Sequence, residues 1–384
     1  MHFYDFVGYC SMLTDERRVD AYVNALKKTI NEDSIVLDLG AGTGIFSILA
    51  CDYGAKKVYS VEVNPLIKLL NDVIEDRGYE SRIEVIQEFS NKIELDEKAN
   101  LLISDIHGGF PLFESSIETM IDARERLLTK DAIIFPKKET IYFAVSQAEE
   151  IYENNVKRYL KDFYGFSIPS AERLVFNRWF SAKSKTEKLL SDPGVFGEID
   201  YRTITEPSFS QEFRFEIKED GIAHGLRGWF ENELVDGIGV SNSIDVEKTT
   251  YSSPFFPFER EVEVKAGDVV SALISARYEK GDYAWSWKTE FFEKGDPTKP
   301  ITQFNQSVLA SMFMEPSVVL KQSEYFVPKQ NEAAEIDSLI LNSIDGEAMN
   351  GDIADLLLEK YPKVYKSFES ALNYVAAFSQ KYSV

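Results

Sequence analysis

Residues 34–64 read SIVLDLGAGTGIFSILACDYGAKKVYSVEVN, and the order of parts in this stretch decides the fold. Ile35-Val36-Leu37-Asp38-Leu39 is a short apolar run, as expected of a buried parallel strand. Gly40-Ala41-Gly42-Thr43-Gly44 follows at once. Residues 45–50 then begin a buried helix, and Val58-Tyr59-Ser60-Val61 forms a second strand that ends in Glu62. Glycines directly after a strand let the backbone approach a ligand with no Cβ in the way. The helix start behind them offers free N–H groups. Glu62 lies 18 residues past Gly44, where an acid at a strand tip takes both hydroxyls of a ribose. A structural turn is the plain alternative for a lone Gly-x-Gly. The order strand, glycine cluster, helix, strand, acid favours a nucleoside-binding loop.

Bulk properties bound the rest. The chain has 384 residues, enough for two or three domains, and 44% of them are hydrophobic and 13% aromatic. Its 42 basic and 64 acidic residues give a net charge of −22. That argues against a nucleic-acid partner, since phosphate contacts need Lys and Arg. It suits a cationic substrate or plain solubility. Cys10 and Cys51 are the only cysteines, so neither a disulfide framework nor a Cys/His metal spacing is expected. The first residues lack the apolar core of a signal peptide, and no run of 18 apolar residues predicts a membrane span. A cytoplasmic protein is expected.

Upstream of the quoted stretch, Thr14-Asp15-Glu16 opens a helix. Val19, Tyr22, Val23, Leu26 and Ile30 make its apolar face, and Arg18 sits on its first turn. Downstream, Ile83-Glu84-Val85-Ile86 is a third strand, and residues 87–91 form a loop at the ligand-binding edge of such a sheet. Leu101-Leu102-Ile103-Ser104 is a fourth strand. It leads into Asp105-Ile106-His107-Gly108-Gly109-Phe110-Pro111-Leu112-Phe113-Glu114-Ser115. Two acids, Asp105 and Glu114, flank this apolar, glycine-containing loop, and a carboxylate pair can hold a guanidinium by bidentate charge-assisted bonds. His107 lies inside the loop, either as a base or substrate contact or as a ring packed under Phe110. His2 and His224 have no such context. A helix over 117–128 and a strand over 132–135, ended by Pro136, complete the α/β part.

The glycine loop is G-x-G-x-G rather than the G-x-G-x-x-G of dinucleotide enzymes. It resembles motif I of the class I S-adenosylmethionine-dependent methyltransferases, with Glu62 as their ribose-binding acid. Residues 104–136, SDIHGGFPLFESSIETMIDARERLLTKDAIIFP, resemble the double-acid loop region of the protein arginine methyltransferases. Ser104, Gly108, Glu114, Ser115, Ala123, Arg124, Phe135 and Pro136 match that family's pattern without a gap. Met12-Leu13, Asp15-Glu16 and Arg18 resemble its Met-Leu-x-Asp-x-x-Arg helix, which implies that Arg18 meets the cofactor carboxylate. Asn91 stands where the family has an adenine-contacting Glu. Tyr164-Gly165-Phe166 resembles the Tyr-Gly-Phe after its sheet domain. The likeness runs over roughly residues 3–300.

Several positions differ from the family. Asp105 is one methylene shorter than the family Glu, and Ile106-His107 replace Trp-Met. Thr249-Thr250-Tyr251 stand where the family has Thr-His-Trp, so that histidine is absent. The N-terminal helix over the cofactor is short.

Beyond residue 140 the pattern changes. Residues 148–163 read as a helix and 183–192 as an exposed polar stretch. From about 199 to 292 apolar and polar residues alternate in short runs between turn signals, as antiparallel strands do. A β-barrel-like domain is the simple solution, and the family has one. Residues 336–382 are helical again, in a helix, Asp-Gly turn, helix, helix order. That order resembles small winged-helix modules of the PqqD type, and a plain helical cap is the equal alternative.

The expected architecture is therefore an α/β Rossmann-like methyltransferase domain with a doubly wound sheet, an antiparallel β-barrel-like domain and a small C-terminal helical or winged-helix module. The expected divisions are 1–33 for cofactor-covering helices, 34–145 for the cofactor domain, 146–325 for a substrate and dimerisation domain with an arm near 167–190, and 330–384 for the C-terminal module. By resemblance the cofactor is S-adenosyl-L-methionine, released as S-adenosyl-L-homocysteine, and the protein is a homodimer. Arg18, Asp38, Gly40, Gly42, Gly44, Glu62 and Asn91 are assigned to the cofactor, and Asp105, Glu114 and His107 to catalysis. The expected reaction is N-methylation of a guanidino group, in free arginine, a peptide or a protein. Two other readings stand beside it: an O-, N- or C-methyltransferase for a natural-product intermediate, with the acids as general base, and a cofactor-binding scaffold without turnover.

Overall fold

A computed structural model describes residues 5–162, 164–166, 168–246, 249–296, 298–312, 316–321 and 323–383. His2 and Phe163 lie outside these. The chain forms two compact units, 1–312 and 313–384.

In the larger unit, α1 (Phe6–Leu13) and α2 (Glu16–Thr29) precede the sheet. Asp15 caps α2 by accepting the backbone N–H of Arg18. Tyr22, Ala25 and Leu26 on one face of α2 are buried, as their spacing predicts. Five parallel strands follow: β1 (Ile35–Leu39), β2 (Lys57–Val61), β3 (Ile83–Ile86), β4 (Ala99–Ser104) and β5 (Leu128–Phe135). They are ordered β3-β2-β1-β4-β5, with α3 (Ile45–Asp52), α4 (Leu69–Arg77) and α5 (Ser116–Arg126) between them. The chain leaves β1 for β2 on one side and returns to β4 on the other. That reversal opens a crevice at the strands' carboxyl ends, beside Gly40 and Asp105.

Strand β6 (Lys138–Gln147) leaves the parallel sheet and pairs antiparallel with β11. The antiparallel part therefore begins at Lys138, ahead of residue 146 where the pattern of the sequence places it. The chain passes through α6 (Glu149–Tyr152), a π turn over Glu153–Lys157, α7 (Arg158–Leu160) and α8 (Ala171–Phe176). Within 167–190, where an arm is expected, lie α8 and the short strands β7 (Phe180–Ser181) and β8 (Lys188–Leu189). Then come β9 (Gly194–Asp200), β10 (Phe209–Glu216), β11 (Gly221–Val235), β12 (Ile238–Ser241), β13 (Pro254–Val264), β14 (Val269–Glu279), β15 (Asp282–Phe292) and β16 (Thr302–Ser307). Two antiparallel sheets result. One has the order β10-β14-β15-β16 and the other β7-β13-β11-β6-β8, with β9 and β12 added to it. Their inner faces meet in an aromatic core of Phe143, Phe196, Phe256 and Trp285. Alternation of inward and outward side chains along each strand builds this barrel-like domain.

The smaller unit contains α9 (Pro316–Lys321), α10 (Glu332–Ser343), α11 (Asn350–Lys360) and α12 (Phe368–Tyr382). Ile336, Ile340, Ile353, Leu357, Ala371 and Val375 form its own core. Among the described residues it holds helices only, and no described helix is long and apolar enough to cross a membrane.

Candidate active site

Asp105, the first residue past β4, is met by α2, by the loop before β13 and by its own loop, and β6 joins the cluster through His107. From α2, Arg18 places its Nε 2.5 Å from Asp105 Oδ2, and its Nη1 donates to the carbonyl of Met12 at 3.3 Å. The guanidinium lies 5.7 Å from the ring centroids of Tyr22 and Phe46, which leaves it almost fully buried at 7% exposure. From the loop before β13, the Tyr251 hydroxyl donates to Asp105 at 2.9 Å from Oδ1 and 3.1 Å from Oδ2. From the acid loop itself, His107 Nε2 lies 3.2 Å from Asp105 Oδ1. The same nitrogen is 3.2 Å from Oε1 of Glu139 on β6. Glu139 Oε2 accepts the hydroxyl of Tyr201 at 2.6 Å.

Two basic and two acidic side chains thus share a buried cluster, and each shifts the others. Burial opposes the charge of Asp105, but Arg18 and then His107 outweigh it and hold the carboxyl down at about 2. Burial opposes the charge of His107, but Glu139 and Asp105 outweigh it and raise the imidazole to about 9. Arg18 is raised above its ordinary value by Asp105 against the same opposition from burial. Glu139 is raised by burial, with His107 and the Tyr201 hydroxyl acting against the shift.

The loop from Asp105 to Ser115 is clamped by the barrel-like domain. His107 stacks on Tyr251 and meets the edge of Phe230, and Phe110 packs on Phe230 and Trp285. The Ser252 N–H donates to the Gly109 carbonyl at 3.2 Å. At the far end the Tyr278 hydroxyl bonds Ser115 Oγ at 2.9 Å and Glu118 at 2.5 Å. Glu114, between these anchors, is exposed and adopts φ +42°, an uncommon conformation for a residue with a Cβ. Asp105 is partly covered, with its side chain 11% exposed. Thr250 stands where the resembling family has its histidine, and it donates from its backbone N–H and hydroxyl to Asp15 at 2.7 and 3.0 Å.

The glycine loop has the geometry its sequence predicts. Gly40, Gly42 and Gly44 take φ +75°, +58° and +79°. A Cβ at Gly42 would lie 2.8 Å from Tyr9, and one at Gly44 would lie 2.5 Å from Leu70. Glu62 follows β2 and is 8% exposed. Its Oε2 accepts the Gly42 N–H at 3.0 Å and its Oε1 the Asn64 N–H at 2.8 Å. A carboxylate offers about four lone-pair sites, so two remain for ribose hydroxyls. Gly44 precedes α3 and offers no side-chain cap, while the Ser47 N–H in the first turn is taken by Asp38. These features fit a nucleoside cofactor. Asp38 sits beneath the loop, 2% exposed, and accepts the Ser47 hydroxyl at 2.6 Å. It thereby ties β1 to the first turn of α3. Asn91 is exposed on a 3₁₀ turn over Ser90–Lys92.

The fold therefore brings Arg18, Asp105 and His107 into direct contact, with the glycine loop and Glu62 in the adjoining crevice. Glu114 and Asn91 lie on the exposed rim. Sequence reasoning missed the parts played by Tyr251, Glu139 and Tyr201. A signal for Glu139 existed: it shares the strand parity of Ile141, Phe143 and Val145, all fully buried, so its carboxylate had to point inward.

Fold and site together define a class I methyltransferase domain joined to a barrel-like domain. Comparison with known proteins agrees. Residues 7–161 match the model of the TRM5/TYW2 methyltransferase domain, and residues 137–290 match that of the arginine methyltransferase oligomerization subdomain. Protein arginine N-methyltransferase 2 of Mus musculus is 28% identical over 290 residues, covering 71% of this chain and 64% of that protein. Protein arginine N-methyltransferase 1 of Saccharomyces cerevisiae is 27% identical over 291 residues, covering 73% of this chain and 83% of that protein. The chain thus spans a little under two thirds of the mouse relative. The Trypanosoma brucei PRMT1 enzyme–prozyme heterotetrameric complex with AdoHcy superposes with a TM-score of 0.70 at 23% identity. It covers 78% of this chain and 96% of that one. Arabidopsis thaliana protein arginine methyltransferase 10 gives 0.66 at 21% identity, over 79% of this chain and 98% of that one. Over about 70% of its length the chain is thus similar to protein arginine methyltransferases.

Proposed function

We propose that this protein N-methylates a guanidino group, that of arginine in a peptide or protein or as the free amino acid, with S-adenosyl-L-methionine as the methyl donor. The observation that carries the reading is Asp105. It is a carboxylate kept ionised at the carboxyl end of a Rossmann strand, beside a glycine loop and faced by a barrel residue, Tyr251. When bound, S-adenosyl-L-methionine supplies an electrophilic methyl group and is released as S-adenosyl-L-homocysteine.

Gly40, Gly42, Gly44 and the start of α3 accommodate its backbone-proximal part. Glu62 takes the ribose, Arg18 meets the carboxylate and Asn91 lies on the adenine side, while Asp38 holds the first turn of α3. The acceptor guanidinium carries its charge at all physiological pH values. Asp105 and Glu114 bind it, localise that charge on one nitrogen and leave the other free to attack. Their task is alignment and charge complementarity. Glu114, exposed on a loop end fixed through Ser115 and Glu118, completes the pair as the acceptor enters.

We assign the protein to homodimers in the cytoplasm. The match of residues 137–290 to an oligomerization subdomain supports the dimer. So does the exposure of Tyr164, Phe166 and Ile168 within five residues, since clustered exposed apolar side chains mark interaction surfaces. Two unpaired cysteines and a net charge of −22 suit a reducing aqueous compartment. The helical unit follows as a separate module, and we read the barrel-like domain as shaping acceptor choice.

The test is mass spectrometry of reactions with labelled S-adenosyl-L-methionine, offering free arginine, arginine-rich peptides and a small-molecule extract in parallel. Label on a guanidino nitrogen is the expected result. Label only on a non-guanidino metabolite removes the acceptor assignment.

A further inference from the structure

We propose that Glu139 is a positioning residue for methyl transfer: it holds His107 as an imidazolium against Asp105 and so fixes the carboxylate that receives the acceptor. This rests on the reading of Asp105 given above.

Glu139 is fully buried at 0% exposure, as the second residue of β6, just past the parallel sheet. A carboxylate is tolerated in such a place only when it is paired. Tyr201 satisfies one oxygen. The other, Oε1, faces His107 Nε2 at 3.2 Å and makes no aligned hydrogen bond among the described residues. His107 Nε2 stands at the same 3.2 Å from Asp105 Oδ1. A single N–H placed between two carboxylate oxygens cannot point straight at both. Neither ring nitrogen has an aligned partner among the described residues. The contact is therefore chiefly one of charge, and it is strongest with the ring protonated.

Other groups around the ring set its charge and orientation. Arg18 from α2 opposes protonation. Tyr251 stacks on the ring and Phe230 from β11 meets its edge. Asp105 alone is already balanced by Arg18, so the second carboxylate is what keeps a second cation in the cluster. Arg18 and Tyr251 hold Asp105 directly. The third grip, that of His107, depends on Glu139.

Glu139→Gln is nearly isosteric and keeps an acceptor for Tyr201 while removing the charge. The chain has three histidines, and His107→Gln assigns the His107 resonances in ¹³C,¹⁵N-histidine-labelled samples. The expected result is that wild-type His107 stays an imidazolium through pH 8. In Glu139→Gln its midpoint falls by about one unit or more, a tenfold change in the protonation equilibrium. Turnover of a guanidino acceptor falls by about 10- to 100-fold, as a misplaced reacting group costs, with the KM for S-adenosyl-L-methionine within about twofold of wild type.

An unchanged midpoint in Glu139→Gln, or a wild-type His107 that titrates near its ordinary value, overturns the proposal. The wild-type titration needs no change at Glu139 and can overturn the proposal even where Glu139→Gln does not fold. Failure of wild-type enzyme on every guanidino acceptor overturns the role of Asp105, and with it the alignment role, whereas the titration judges the tie between Glu139 and His107 by itself.

Discussion

Arg18 Nε lies 2.5 Å from Asp105 Oδ2, and both side chains are nearly buried, at 8% and 11% exposure. This ion pair joins the helix before the glycine loop to the strand end that bears the carboxylate proposed for the acceptor. The group assigned to the cofactor and the group assigned to the acceptor thus neutralise each other in the free protein.

Breaking the pair from either side exposes that dependence. Removing one partner of a buried pair leaves an uncompensated charge and costs on the order of 3–5 kcal/mol. Arg18→Ala is expected to lose stability of that order and to bind S-adenosyl-L-methionine more weakly. Chemical denaturation and calorimetric titration measure the two effects. Unchanged stability would mean that solvent reaches the pair.

Glu114 offers a cleaner separation of activity from folding. It is exposed, and a surface change with the same backbone preference shifts stability by only about 0.5 kcal/mol. Glu114→Gln is expected to keep its melting behaviour and cofactor affinity while guanidino methylation falls by about two orders of magnitude. Asp105→Asn is expected to lose activity and stability together. Full activity in both variants removes the acid pair from the mechanism.

The glycine loop makes a steric prediction. Gly44 combines φ +79° with a Cβ position 2.5 Å from Leu70. Gly44→Ala is expected to cost about 1–3 kcal/mol through backbone strain alone and to abolish cofactor binding. Gly54→Ala, at φ +104° with open space around it, pays strain without losing the cofactor. Thermal shift with and without S-adenosyl-L-homocysteine distinguishes the two.

The dependence of stability on pH follows from His107. Its imidazole is raised in the folded protein from 6.5 to about 9, so the folded state binds the proton more tightly than the unfolded chain. The resulting stabilisation is fully present below about pH 6.5 and is lost as pH rises through about 9. Denaturation midpoints measured from pH 6 to 9.5 are expected to fall in wild type and to fall less in His107→Gln. Stopping at 9.5 keeps Tyr22, Tyr201 and Tyr251 protonated, since burial raises all three.

Association is tested through the exposed aromatic segment. Replacing Tyr164, Phe166 and Ile168 together by Ser is expected to shift wild-type dimers to monomers in sedimentation velocity. A wild-type protein that sediments as a monomer at all concentrations removes the dimer.

The sequence alone determined the parts whose signal is local. A strand, a run of glycines, a helix start and an acid at the next strand's tip lie within 31 residues. Backbone geometry allows that order few other uses, so the Rossmann half and the places of Gly40, Gly42, Gly44 and Glu62 were legible. The barrel-like strands were legible from their alternation, although β6 was assigned to the wrong side of the domain boundary. Its apolar run fits a strand of either sheet, and only pairing with β11 decides between them. Tertiary structure decided the charge cluster. Arg18, Asp105, Glu139, Tyr201 and Tyr251 are separated by up to 233 positions along the chain, and no periodicity links them. What joins them is burial: ionised groups driven into one dry space must neutralise one another, and which groups meet there is set by the packing of two domains against a single loop.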